Sequence, residues 1–326
     1  MTERPFFIVG YPRSGTTLLR FMLASHPRLW IPEETGFVPF LKVPSDRPLS
    51  PAEIRRATGR IARLHRGWRD AVRQLAAPGG GSQAPRLGDV LDSLYRYRMQ
   101  PCGASRWGDK TPLYVLYMDR IAAIFPEAQF IHLVRDGRDV AVSAVAKWGR
   151  RWPQRLYMDQ HYVLRRWVAA VDRGRRVGAG LGSARYLELR YEDLVRDAEG
   201  SLRRVCDHLG EAFDPMTLRH ERLAREEIAA GGHEEVWQPV SAGRVGRWRR
   251  ELAPAAVWTA SRVAGTALED LGYEPTDVTE VGAFARLESA VCGWRFRLVR
   301  GLQRATEALG DAPLNRGMRR RGPVRA

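Results

Sequence analysis

Lysine is nearly missing from this chain: of 53 basic residues only Lys42, Lys110 and Lys147 are lysines, so Lys110 and Lys147 merit separate attention. Cysteine is scarce as well. Cys102, Cys206 and Cys292 are odd in number and far apart, which argues against a disulfide framework or a metal site and fits a reducing compartment. No apolar run approaches the roughly 20 residues of a membrane span, and Met1 to Arg4 leads straight into a strand-like run, leaving no room for a signal peptide. A cytoplasmic placement is therefore expected. Acidic residues number 37, which leaves a formal charge of +16. That surplus suits anionic partners, but most of it reads as solvated surface. No nucleic-acid reading motif is present and stacking aromatics are not interleaved with the arginines, so nucleic acid is not an expected partner. The 326 residues, 44% of them hydrophobic, suffice for one large α/β domain with an appendage.

What is present is most informative at the start. Phe6-Phe7-Ile8-Val9 reads as a strand, Gly10-Tyr11-Pro12-Arg13-Ser14-Gly15 as a phosphate-sized turn, and Thr16 to Leu23 as a helix. The glycines keep the spacing of a P-loop, but Thr16 and Thr17 stand where a nucleoside triphosphatase carries lysine and serine or threonine. Such a loop still binds an anion, because N–H groups at a helix start lack intrahelical partners and carry partial positive charge. The backbone of Ser14, Gly15, Thr16 and Thr17 is the expected cradle, with the three hydroxyls available. Arg13 supplies the cation, in a planar fork suited to an oxyanion.

Two further strand–turn–helix units follow. Gln129 to Val134 is a continuous apolar run ending in Arg135-Asp136-Gly137-Arg138, and Arg185 to Leu189 ends in Arg190-Tyr191-Glu192-Asp193-Leu194. Strands alternating with helices predict an α/β three-layer, P-loop-like fold around a parallel sheet, with ligands at the carboxyl ends of the strands. Between them, Ile61, Leu64, Trp68, Val72 and Leu75 recur at helical spacing and predict one amphipathic helix from Ile54 onward. It ends at the connector Pro78-Gly79-Gly80-Gly81, and Leu87, Leu91 and Leu94 begin another helix. Residues 36–106 thus read as a helical insertion, within a domain spanning 1–275. Residues 276–326 form an appendage. There Phe284, Leu287, Val291, Trp294 and Leu298 follow helical spacing among Arg295, Arg297, Arg300 and Arg304, and Arg319-Arg320-Arg321 lies near the end. Two readings stay open for it: a helix packed on its own domain with a disordered tail, or a basic helix in peripheral contact with an anionic inner-membrane surface.

Tyr11-Pro12-Arg13-Ser14-Gly15-Thr16-Thr17, then Leu133-Val134-Arg135-Asp136-Gly137-Arg138 with Ser143, then Arg190-Tyr191-Glu192-Asp193-Leu194 stand in the order found in sulfotransferases that use 3′-phosphoadenosine 5′-phosphosulfate. The chain resembles that family over roughly residues 5 to 273. His26-Pro27, Pro32-Glu33-Glu34-Thr35 and Gly108-Asp109-Lys110-Thr111-Pro112 are most similar to the tyrosylprotein-type branch and its bacterial relatives. The resemblance implies an enzyme that moves a sulfuryl group in line from the phosphosulfate co-substrate to an acceptor hydroxyl, without a metal. It also implies roles for single residues: Arg135 and Ser143 on the 3′-phosphate, Tyr191 near the nucleotide, Glu34 as general base, and a closing segment at 243–249 whose Arg244 or Arg247 adds a cation. Gly246 departs from that pattern, which has serine there. The reaction itself asks for cations on the leaving group, and Arg13 and Lys110 are the candidates.

His132 and His161 are rival bases, the first in an apolar strand, the second in a helix with no motif around it. Arg138 reads equally as a ligand contact or a surface residue at a helix start. The acceptor stays open among natural-product, glycolipid, carbohydrate and tyrosyl hydroxyls, with a small-molecule or glycolipid acceptor preferred. Two other functions compete. A P-loop kinase needs a lysine at position 16 and a strand-end carboxylate for magnesium, where this chain has Thr16 and Arg135. A catalytically inactive nucleotide-binding protein would not need both Glu34 and Lys110.

Overall fold

A computed structural model describes residues 4–75, 84–227, 234–276, 278 and 280–308. The connector at 78–81 and the arginine triplet at 319–321 lie outside the described residues. In chain order the elements are β1 (Phe6–Val9), α1 (Thr16–Ala24), β2 (Leu29–Trp30), α2 (Pro51–Leu64), α3 (Arg69–Leu75), α4 (Leu87–Met99), β3 (Arg106–Lys110), α5 (Met118–Ile124), β4 (Gln129–Val134), α6 (Gly137–Trp148), α7 (Gln160–Leu181), β5 (Tyr186–Arg190), α8 (Tyr191–Arg196), α9 (Ala198–Leu209), α10 (Glu221–Glu227), α11 (Trp248–Glu251), α12 (Pro254–Asp270) and α13 (Ala283–Ala308). The five strands form one sheet in the order β2-β3-β1-β4-β5. Every pairing is parallel, with Ile8 opposite both Lys110 and Ile131 and Val134 opposite Arg190.

β1 and β4 are buried along their whole length, as strands covered on both faces must be. β3 is buried just as fully although its sequence is Arg-Trp-Gly-Asp-Lys. Its arginine is satisfied rather than exposed: Arg106 donates to Gln129 Oε1 at 2.5 Å and pairs with Glu211 at 3.3 Å. Gly108 lets the Phe6 ring lie flat on the strand, since a Cβ there would stand 2.4 Å from that ring. This polar composition is why hydrophobic patterning does not reveal β3.

The segment between β2 and β3 contains α2, α3 and α4. The one helix expected across 54–75 is two, because His65 takes an extended backbone (φ −134°, ψ 106°) after α2. The break turns Trp68 inward, where it meets Phe37 and Tyr95 edge to face at centroid distances of 5.4 and 4.8 Å. Tyr95 stacks on Trp107 of β3 at 4.0 Å. One aromatic cluster therefore joins these helices to the sheet.

Candidate active site

The carboxyl ends of all five strands open on one side of the sheet, on either side of β1, where the strand order reverses. After β1 the chain must turn sharply beneath β4. A Cβ at Gly10 would lie 2.4 Å from the Leu133 carbonyl oxygen, so no larger residue fits. Arg13 is in the left-handed region (φ 76°), and Gly15 follows at φ 93° with the Tyr191 ring where its Cβ would be, 2.4 Å away. α1 then begins with no side-chain cap and no acidic residue in its first turn, leaving its first N–H groups directed at the loop. Ser14 Oγ and Arg135 Nε are buried and find no hydrogen-bond partner among the described residues. Two orphaned donors beside an uncapped helix start fit a phosphate group.

One cluster lies where β3 ends. Lys110, buried to 4% exposure, donates to Glu34 Oε1 at 2.5 Å and to Thr17 Oγ1 at 3.3 Å. Burial holds its ammonium below the usual lysine range, and the Glu34 carboxylate works against that shift. Glu34 is placed by the loop after β2. Arg20 of α1 grips that loop through the Ile31 carbonyl at 2.8 Å, and Thr35 bonds the carboxylate of Asp109. Asp109 is wholly buried, takes further hydrogen bonds from Tyr95 and from Thr111 at 2.8 Å, and burial raises its pKa. Asp109, absent from the sequence candidates, thus fixes the strand end on which Lys110 stands. Its position between Gly108 and Lys110 was the available signal.

A second cluster lies where β4 ends. Arg13 Nε donates to Ser143 Oγ at 2.9 Å, and Arg135 donates to the carbonyls of Arg13 at 3.3 Å and Arg244 at 2.6 Å. Tyr191 covers this group, its ring centroid 4.4 Å from the Arg135 guanidinium. Burial pushes the pKa of Arg13 down and that of Tyr191 up. Glu235, also missed in the sequence, approaches Arg13 at 3.4 Å and Arg244 at 3.5 Å. The bonds of Arg13 to Ser143 and Glu235 group it with Arg135, while Lys110 stands with Glu34 on the other side of the cradle.

Asp139 of α6 ties the glycine-containing segment down, accepting from the N–H groups of Gly246 at 2.8 Å and Trp248 at 2.9 Å. Of the two arginines in that segment, Arg244 joins the cluster, and Arg247 forms a two-point pair with Glu251 one helical turn on. Arg138 is no surface residue: 1% exposed, it pairs with Asp136 at 2.8 Å and lies 3.9 Å from the Trp248 ring. His26 closes the turn after α1, bonding the Ala212 carbonyl at 2.9 Å through Nε2, which must therefore carry the proton. The rival bases are both enclosed. His132 bonds Tyr186 at 2.7 Å within the core, and His161 lies under the Phe296 ring of α13.

Known proteins resemble this chain over most of its length. A family model described as "Sulfotransferase family" matches residues 5–215. Protein-tyrosine sulfotransferase A of Caenorhabditis elegans is 28% identical over 282 residues, which cover 83% of this chain and 68% of that protein. Nodulation protein NoeE of Sinorhizobium fredii is 27% identical over 82% of this chain and 65% of its own length. Among solved structures, the sulfotransferase domain of the Synechococcus PCC 7002 olefin synthase superposes with a TM-score of 0.59 at 27% identity, covering 84% of this chain and 96% of the domain.

Proposed function

This chain belongs to the sulfotransferase family, and we propose that its active site moves the sulfuryl group of 3′-phosphoadenosine 5′-phosphosulfate to an acceptor hydroxyl in a single in-line displacement. The observation that carries the reading is one uncapped anion cradle flanked by two separate groups of cations, Lys110 on one strand end and Arg13, Arg135 and Arg244 around another. A donor with phosphates at both the 5′ and 3′ positions needs both groups.

In this reading the N–H groups of Ser14 to Thr17 hold the 5′-phosphate. Arg135, Ser143, Arg13 and Arg244 take the 3′-phosphate, Glu235 giving way to it, and Tyr191 packs against the nucleotide. Glu34 removes the proton from the acceptor hydroxyl as its oxygen attacks sulfur. The bond from sulfur to the bridging oxygen breaks, and Lys110 takes up the charge that develops on that oxygen. Lys110 is bonded to both Glu34 and Thr17, so it links the base to the cradle. Every step in this scheme is carried by side chains and backbone, with no role assigned to a metal. The acceptor hydroxyl is reached from the side of the 36–106 segment, which begins just after Glu33 and Glu34, and the protein-tyrosine sulfotransferases among the relatives keep a tyrosyl acceptor beside the natural-product, carbohydrate and glycolipid ones.

Calorimetric titration with 3′-phosphoadenosine 5′-phosphate against ADP tests the donor. Tight binding of the former with little response to ADP is expected, and a preference for ADP would overturn the assignment. Glu34→Gln is expected to keep that affinity while turnover falls by about 10²–10⁴-fold. Undiminished turnover would remove Glu34 from the mechanism.

A further inference from the structure

α13 turns its apolar face away from the protein. It docks on α7 through Phe296, whose ring meets those of His161 and Tyr162 at centroid distances of 6.2 and 5.6 Å, through Arg295 on Asp159, and through Gln303 on the Tyr162 hydroxyl at 3.2 Å. Phe284, Leu287, Val291, Trp294, Leu298 and Leu302 all remain exposed, from 49% at Leu298 to 80% at Phe284. At about 100° per residue these six fall within an arc of about 80°, a continuous stripe along the helix. Burial on its own domain accounts for one face of α13 and leaves this one unexplained.

The charge beside the stripe indicates what covers it. Arg286, Arg297 and Arg304 are exposed and follow one edge of it, and the α13 sequence contains five arginines against two acids, Glu288 and Glu307. Residues 309–326 add Arg316, Arg319, Arg320, Arg321 and Arg325 against Asp311. A second segment repeats the chemistry. The loop that leads into α7 exposes Arg150, Arg151, Trp152, Arg155 and Leu156, with Trp152 at 68% and the Arg155 guanidinium 5.1 Å from its ring. That loop runs directly into Asp159, the residue Arg295 holds. Two chain segments joined at one ion pair therefore both present tryptophan and leucine among arginines. Aromatic and aliphatic side chains that enter the acyl boundary while arginines reach the headgroups are what an interfacial helix requires.

We propose that α13 and the 150–156 loop form a docking surface for an anionic phospholipid bilayer. A second copy of the chain is the poorer occupant, because each copy brings a formal charge of +16 and an arginine edge with little acid to offset it. Bound in this way, the enzyme would receive its acceptor at the bilayer surface. The surface itself does not depend on the donor or the chemistry.

Co-sedimentation of the full chain with vesicles of phosphatidylcholine, with and without phosphatidylglycerol, tests the proposal. Binding to the phosphatidylglycerol vesicles alone is expected, weakening as salt is raised. Arg286→Gln/Arg297→Gln/Arg304→Gln and, separately, Trp294→Ser/Leu298→Ser should each reduce partitioning at least about tenfold, with an unchanged thermal midpoint because all five side chains are exposed. Wild-type protein remaining in the supernatant, or both variants binding as wild type does, overturns it. So does a dimer in sedimentation velocity that Trp294→Ser/Leu298→Ser converts to monomer, which would assign the stripe to a second copy.

Discussion

Gly15 shows how much a single residue carries in this site. Its φ of 93° and the Tyr191 ring 2.4 Å from where a Cβ would stand leave no room for a side chain. Gly15→Ala is expected to destabilise the fold by roughly 1–3 kcal/mol and, by displacing Tyr191 from Arg135, to weaken binding of 3′-phosphoadenosine 5′-phosphate. Urea unfolding and calorimetry check the two effects, and a variant that matches wild type in both would mean that the ring yields freely. At this scale the motif glycines and the rare Lys110 stand out in the chain itself, whereas Glu34 was singled out only through the resemblance. Asp109 and Glu235 did not stand out. A carboxylate among 37 acidic residues becomes informative only when its neighbours are known, here three donors for Asp109 and two arginines for Glu235.

Among the elements, β1 and β4 were readable from apolar runs bounded by turns and β5 from the strand–turn–helix unit it opens, and β3 was not, since its arginine and lysine are satisfied by partners remote in sequence. The helix expected across 54–75 fails for a related reason. Periodicity continues through His65, but the chain breaks there so that Trp68 can reach Phe37 and Tyr95. The aromatic contact outweighs local helix continuity. Tyr95 couples these helices to the site, stacking on Trp107 while its hydroxyl bonds Asp109. Tyr95→Phe keeps the stacking and leaves the buried Asp109 carboxylate short of a donor, a loss of roughly 1–3 kcal/mol in denaturant unfolding. Because Asp109 also holds Thr35, next to Glu34, turnover should fall more than donor affinity does. Equal effects on both would mean that Asp109 serves only the fold.

For the whole molecule, buried histidines lower stability in acid, while the buried carboxyls of Asp109, Asp139 and Glu192, raised by burial, act in the opposite sense. Burial pushes His132 from 6.5 down to about 3 and His161 down to about 4. Between those values and 6.5 the unfolded chain binds protons that the native state does not. Stability is therefore unaffected by these groups above about pH 6.5 and is lost as pH falls below it, at up to about 1.4 kcal/mol per pH unit for each histidine. Thermal unfolding of wild type and His132→Asn between pH 7 and 5 isolates this contribution: the variant should lose less stability as pH falls, and an unchanged slope would place the acid sensitivity elsewhere. The sequence by itself determined the glycine turn after β1 and the alternation of strands and helices, because backbone sterics at glycine and local hydrophobic patterning act over a few residues, and its ordered motifs carried the resemblance to the family. The tertiary structure alone decided that Arg13 stands with Ser143, that Arg244 rather than Arg247 joins Arg135, that Arg138 is a buried brace, and that the apolar stripe of α13 faces outward. These outcomes follow from contacts between residues far apart in the chain, whose burial and pairing energies no local pattern encodes.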